Sequence, residues 1–152
     1  MFKISKRLDY GFLILMALAS TEKDEPIPSH QLSKQLDIPL PFLHQIAHSL
    51  MQNGLIKATP GPRGGIRLNI PADEITALKI VEILEGPINI CYCKENESEC
   101  NFTGHCAAMN MWAQVQTKVV SVLVTTTLAE LAKKSVKKPQ FKDAIRALTG
   151  ED

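Results

Sequence analysis

SHQLSKQLDIPLPFLHQIAHSLMQNGLIKATPGPRGGIRLNI, residues 29–70, is the stretch whose reading decides the fold. Ser29 suits the N-cap of a short helix over 30–36, with Leu32 and Leu36 on one face. Residues 37–41 break that helix, and their two prolines sit where a helix can begin but not continue. A third helix then runs to about residue 53, turning Leu43, Ile46, Ala47 and Leu50 inward, with Gly54 as its stop. Two short helices a few residues apart are the helix-turn-helix pattern. LIKATP and IRLNI follow as two extended runs around Gly61-Pro62-Arg63-Gly64-Gly65, a β-hairpin with a glycine-rich tip and one exposed cation. Helix-turn-helix plus hairpin is a winged helix. The plainer alternative is a small α+β domain whose hairpin only caps the core. The Arg-tipped glycine loop directly after the third helix favours DNA binding.

Upstream, residues 6–20 place Leu8, Phe12, Leu13, Leu15, Met16 and Leu18 at helical spacing, and EKDEPIP is a turn-rich connection. Downstream, Pro71-Ala72-Asp73 opens a helix to Glu85 that Gly86-Pro87 ends. After a polar loop, a long helix starts at Ala107, with Met111, Val115, Val119 and Val122 as a stripe and Trp112, Val120 and Leu123 beside it. So wide an apolar face, far from the first core, points to pairing with a second copy. Thr127 and Glu130 form a capping box for a short helix. A Lys-rich linker over 133–138 precedes Phe141, Ala144, Ile145 and Leu148 at helical spacing. The expected chain is mainly α with a small β-hairpin wing. It divides into a winged helix-turn-helix domain with its following helix (1–85), a cluster-binding loop (86–106), a dimerisation helix and short helix (107–133), and a linker and tail (134–152).

Composition sets bounds on this. The chain has 152 residues, 45% of them apolar, and a net charge of +1. Residues 1–70 carry eight Lys/Arg against five Asp/Glu, and 71–152 nine against eleven, so the N-terminal half is the one suited to phosphates. The apolar run 11–19 is too short for a membrane span of about 18–20 residues and lacks a cleavage pattern. A cytoplasmic protein with no membrane partner follows, where thiols stay reduced. No nucleophile–base pair, phosphate cradle or paired acids stand out and the four histidines are dispersed, so the chain reads as a non-enzyme.

All four cysteines, Cys91, Cys93, Cys100 and Cys106, fall within residues 91–106, CYCKENESECNFTGHC. Clustered thiols in a reducing compartment favour metal over disulfides. The spacing lacks the paired C-x2-C knuckles of a zinc ribbon and the C-x2-C-x2-C run of bacterial ferredoxins. Three well-separated thiolates can wrap an object larger than one ion, which an iron–sulfur cluster fits better than zinc.

The order winged helix, helix, cysteine loop, long helix resembles the IscR/NsrR-type iron–sulfur transcriptional regulators. ISKRLDYGF, SLMQNGLI, GPRGGIRL, IVEILEGPI, and CNFTGHC before TTLAEL carry the resemblance over about residues 2–133. Within the family the chain looks most like regulators of SUF-system iron–sulfur assembly, whose loop also ends in GHC. The resemblance implies a homodimer in which each chain gives Cys93, Cys100 and Cys106 to a 2Fe-2S or 4Fe-4S cluster. Cys91 is then a half-buried loop cysteine. IscR-type members take a fourth ligand from a histidine three positions past the last cysteine, where this chain has Met109. Others use a carboxylate of the partner's first helix, and the matching position is Asp9, offered in trans. His105 is the weaker alternative. A nitric oxide or redox sensor of the same family shares these features, and a DNA-binding protein with a structural zinc site is the reading from another class.

In a helix-turn-helix dimer the second helix meets base edges and the wing reaches a neighbouring groove. The outward positions are Pro41, His44, Gln45, His48 and Ser49. Gln45 suits adenine, and His44 a base or phosphate. Arg63 suits a narrow minor groove, and Lys3, Lys6, Arg7, Lys34 and Lys57 suit phosphates of a double-stranded operator. Two departures from the IscR pattern, Pro60 for a wing arginine and His44 for a glutamate, imply an altered base preference.

Overall fold

The structure, a computed structural model, describes residues 3–21, 25–90 and 107–134. It is mostly helical with one two-stranded antiparallel hairpin, as the sequence implies. Helix α1 (Lys6–Ala19) is capped by Ser5, whose Oγ accepts from the Leu8 N–H at 3.1 Å. Its Leu8, Ile14, Leu15 and Leu18 are buried along one stripe.

Helix α2 (Ser29–Leu36) begins one residue earlier than the sequence suggests. Pro28 holds the N-cap position, and no side chain caps the helix. The Pro28 carbonyl takes up the Gln31 and Leu32 N–H groups instead. Asp37 then turns the chain with φ 53°, and the Ser33 hydroxyl closes the turn by donating to the Ile38 carbonyl at 2.6 Å. Helix α3 (Leu40–Gln52) follows, with Pro39 at the cap and Pro41 in the first turn, where no amide donor is missed. Gly54, at φ 73°, lets the chain reverse into the hairpin.

Strands β1 (Ile56–Thr59) and β2 (Gly65–Leu68) pair in the register Ile56↔Leu68 and Lys57↔Arg67. The free edge of β2 is met by Ile27, which exchanges two backbone bonds of 2.9 Å with Ile66. Gly65 makes this possible, because a Cβ there would lie 2.3 Å from the Ile27 carbonyl group. From sequence, EKDEPIP (22–28) is only a connection.

The next helix departs from expectation in its start. Residues 72–74 form a turn, and α4 (Ala77–Glu85) is capped by Thr76. The cause is tertiary. Thr76 bridges Thr127, with the Ala77 N–H donating to the Thr126 carbonyl and the Leu128 N–H to the Ile75 carbonyl, both at 2.8 Å. An extended backbone at Ile75 and Thr76 is what that pairing requires. Helix α5 (Ala107–Thr125) leads to α6 (Leu128–Lys134), where the Thr127 Oγ1 accepts from the Glu130 N–H at 3.3 Å, the N-cap half of the expected capping box.

One hydrophobic core joins these elements, with Ile14, Leu32, Leu43, Ile46, Leu50, Leu55, Ile75, Ile80 and Leu128 fully enclosed. Leu128 thereby brings α6 onto the winged helix. Leu123 of α5 packs against the same core, while Met111, Trp112, Val119, Val122 and Val124 remain exposed.

Candidate nucleic-acid interface

Burial of Leu43, Ile46, Ala47 and Leu50 fixes the rotation of α3, and so decides which side chains face outward. Pro41, His44, Gln45 and His48 are exposed and form one strip at helical spacing. Gln52, which sequence reasoning passed over, extends the strip by another turn; its spacing of four from His48 was the available signal. Ser49 differs from the others. It is half-buried, accepts from Arg7 Nη2 at 2.8 Å, and donates to the Gln45 carbonyl at 3.3 Å. Two residues expected to touch DNA separately are thus bound to each other, which places an α1 guanidinium beside the exposed strip of α3.

The wing tip is held by backbone geometry. Gly61 has φ 106°, the Gly64 N–H donates to the Gly61 carbonyl at 2.9 Å, and a Cβ on Gly64 would lie 2.1 Å from the Thr59 carbonyl oxygen. This tight turn projects Arg63 into solvent. Lys3, Lys6, Arg7 and Lys34 are exposed as well. Lys57 is half-buried, directly across the hairpin from Arg67, and borders a depression of about 320 Å³ beside the end of α1. Arg67 escaped the sequence reading, since only the strand register places it opposite Lys57.

Asp9 is exposed in the first turn of α1. Cys91, Cys93, Cys100, Cys106 and His105 lie outside the described residues. Among the described residues no three His, Cys, Asp or Glu side chains come together as a metal site. The two ends of the cysteine segment are placed, however. The Ile90 N–H donates to Gln116 Oε1 at 3.4 Å, and Ala107 begins α5. From Ala107 to Gln116 is about 13 Å along a helix, a small fraction of the roughly 50 Å that sixteen residues can reach. Three soft thiolates are the donor set that an iron–sulfur cluster takes, so the chemistry of the segment's residues fits one. Next to its first end lies an apolar groove of about 460 Å³, walled by Ile4, Leu8 and Phe12 on one side and by Val81, Val119 and Leu123 on the other. No helix among the described residues is long and apolar enough to cross a membrane.

Comparison with known proteins agrees with this architecture. A family model described as Rrf2, iron-dependent transcriptional regulator, matches residues 4–134. The chain is 32% identical over 130 residues to the transcriptional regulator CymR of Bacillus subtilis, covering 86% of this chain and 89% of that one. It is 26% identical over 129 residues to IscR of Yersinia pseudotuberculosis, covering 85% and 78%. The solved structure of CymR, the global cysteine regulator of B. subtilis, superposes with a TM-score of 0.75 at 28% identity, covering 90% of this chain and all of that one. That of T. potens IscR gives 0.72 at 22% identity, covering 94% and 96%, a likeness of fold. With a winged helix, an outward-facing strip on α3 and a family match spanning 4–134, the chain belongs to the Rrf2 family of DNA-binding transcriptional regulators.

Proposed function

We propose that this regulator acts as a homodimer whose grip on a double-stranded operator is controlled by an iron–sulfur cluster. Cys93, Cys100 and Cys106 of each chain would hold the cluster, with Asp9 of the partner subunit as the fourth ligand. His105 is the alternative if Asp9 proves dispensable. The observation that carries the proposal is the position of the cysteines. They occupy the segment between Ile90 and Ala107, the covalent link from the winged helix to α5. A cluster bound there would supply a junction that oxidation or ligand exchange can open.

The residues of the chain supply the rest. The strip Pro41, His44, Gln45 and His48 enters the major groove, where Gln45 can pair with adenine N6 and N7. Arg63 reaches the minor groove, and Lys3, Lys6, Arg7 and Lys34 meet phosphates. The exposed Met111, Trp112, Val119 and Val122 of α5 pack against a second copy. A carboxylate given by α1 of one chain to the cysteines of the other would tie the spacing of the two α3 helices to the state of the cluster. Control of iron–sulfur assembly or iron homeostasis genes is the role that suits such a device.

A second reading draws on the 32% identity to CymR. On it the chain would be a cysteine regulator, as the B. subtilis protein is, and would need no cluster. Anaerobic purification separates the readings. Iron with acid-labile sulfide, and operator affinity that changes when both are removed, is the expected result. A colourless protein without them sinks the cluster, and stoichiometric zinc in their place leaves a structural site only. A bound cluster whose spectrum responds to nitric oxide, with operator release, would instead assign the chain as a nitric oxide sensor.

A further inference from the structure

The Ser5 hydroxyl makes two bonds at one corner of the fold. It accepts from the Leu8 N–H, capping α1, and it donates to Glu85 Oε1. Glu85 is the last residue of α4, immediately before the Gly86-Pro87 exit toward the cysteines. Two positions beyond Ser5, Arg7 donates to Ser49 on α3 at 2.8 Å. Packing repeats the same linkage one turn further on. A Cβ on Gly11 would lie 2.2 Å from Leu84 Cδ1 of α4 and 3.7 Å from Ile46 Cγ2 of α3. The start of α1 is therefore wedged between the end of α4 and the body of α3, with a polar contact to each.

We propose that Glu85 and Ser5 are positioning residues for DNA binding. Through the first turn of α1 they hold Arg7, and through Ser49 they hold the exposed strip of α3. The first turn of a helix has no intrahelical partners for its amides and loosens when its cap is disturbed. Arg7 lies within that turn, so a cap clamped by Glu85 keeps its guanidinium in register with Ser49. One of the five guanidinium donors is spent on Ser49, and others remain for a phosphate. Ser49 is on this view a holder of Arg7, not a reader of bases. The positioning stands on the described contacts alone. Only its use as a route from the cysteine segment to DNA rests on the proposed cluster.

The test is a double-mutant cycle on the full chain, with a duplex selected by the wild-type protein from a random-sequence library as probe. Glu85→Ala and Ser49→Ala are each expected to weaken binding by about three- to tenfold. The double variant should bind no worse than the weaker single, since both act on one path. Glu85→Gln keeps the acceptor oxygen and should restore both wild-type affinity and the wild-type thermal midpoint, which Glu85→Ala lowers by roughly a few degrees. Wild-type affinity in Glu85→Ala, failure of Glu85→Gln to rescue, or a double variant showing the product of the two single effects would overturn the proposal. Iron and sulfide measured on the same samples read the cluster separately. A coupled cycle in protein that never holds a cluster supports the positioning and defeats the cluster alone.

Discussion

At the residue scale, side chains on one helix face can have unlike roles. Gln45 is exposed, whereas Ser49, one turn on, is engaged by Arg7. Gln45→Ala is expected to relax preference at one base pair by about 1–3 kcal/mol, seen as a flattened position in a selected-sequence profile. Arg63→Ala should instead weaken operator binding while iron and sulfide content stay at wild-type level; unchanged DNA affinity would remove the wing from the interface. Gly65 is a backbone matter. Its Cβ would meet the Ile27–Pro28 peptide, which belongs to the main chain and cannot rotate away. Gly65→Ala should therefore cost roughly 1–3 kcal/mol by overpacking, measured by urea unfolding.

At the element scale, α6 looks in sequence like an accessory to the long helix. In the structure its first residue, Leu128, is fully buried in the same core as Ile14 and Leu43. The Thr76–Thr127 bridge fastens the far end of α5 to the start of α4 as well. Leu128→Ala should lower global stability by about 2–5 kcal/mol in a single transition, because it opens a cavity in the core that also carries α3. A separate early transition would show instead that α6 folds as its own unit. The start of α4 lies at Ala77, not near residue 71 as the sequence implies, for the same reason. Apolar spacing admits a helix from Pro71, and only the strand-like pairing of 75–77 with 126–128 delays it to Ala77.

At the scale of the whole molecule, the exposed side of α5 and the groove beside Ile90 are apolar surfaces that the core leaves uncovered among the described residues. Val122 is 61% exposed in the single chain. If the proposed dimer forms through α5, Val122→Lys should raise its dissociation constant by at least about tenfold in sedimentation experiments, because an unpaired ammonium would be buried at the contact. A dimer of unchanged affinity would place the contact elsewhere. Asp9→Ala should leave the dimer intact and make iron loss faster in the presence of a chelator. Equal loss rates in Asp9→Ala and wild type would return the fourth-ligand role to His105.

Much was legible in the sequence because it depends on local periods and residue types. The inward positions of α3 follow from apolar spacing, the wing from a glycine-rich tip between two extended runs, and the concentration of thiols from the positions of the four cysteines. Those signals identify a winged helix and an outward-facing strip on α3 without knowledge of packing. Tertiary structure decided what depends on distant partners: Ile27 on the free edge of β2, α6 in the common core, Arg67 opposite Lys57, and the contacts Arg7–Ser49 and Ser5–Glu85. The last two join residues 42 and 80 positions apart. No periodic pattern encodes such a separation, because it arises only when three helices close around one core.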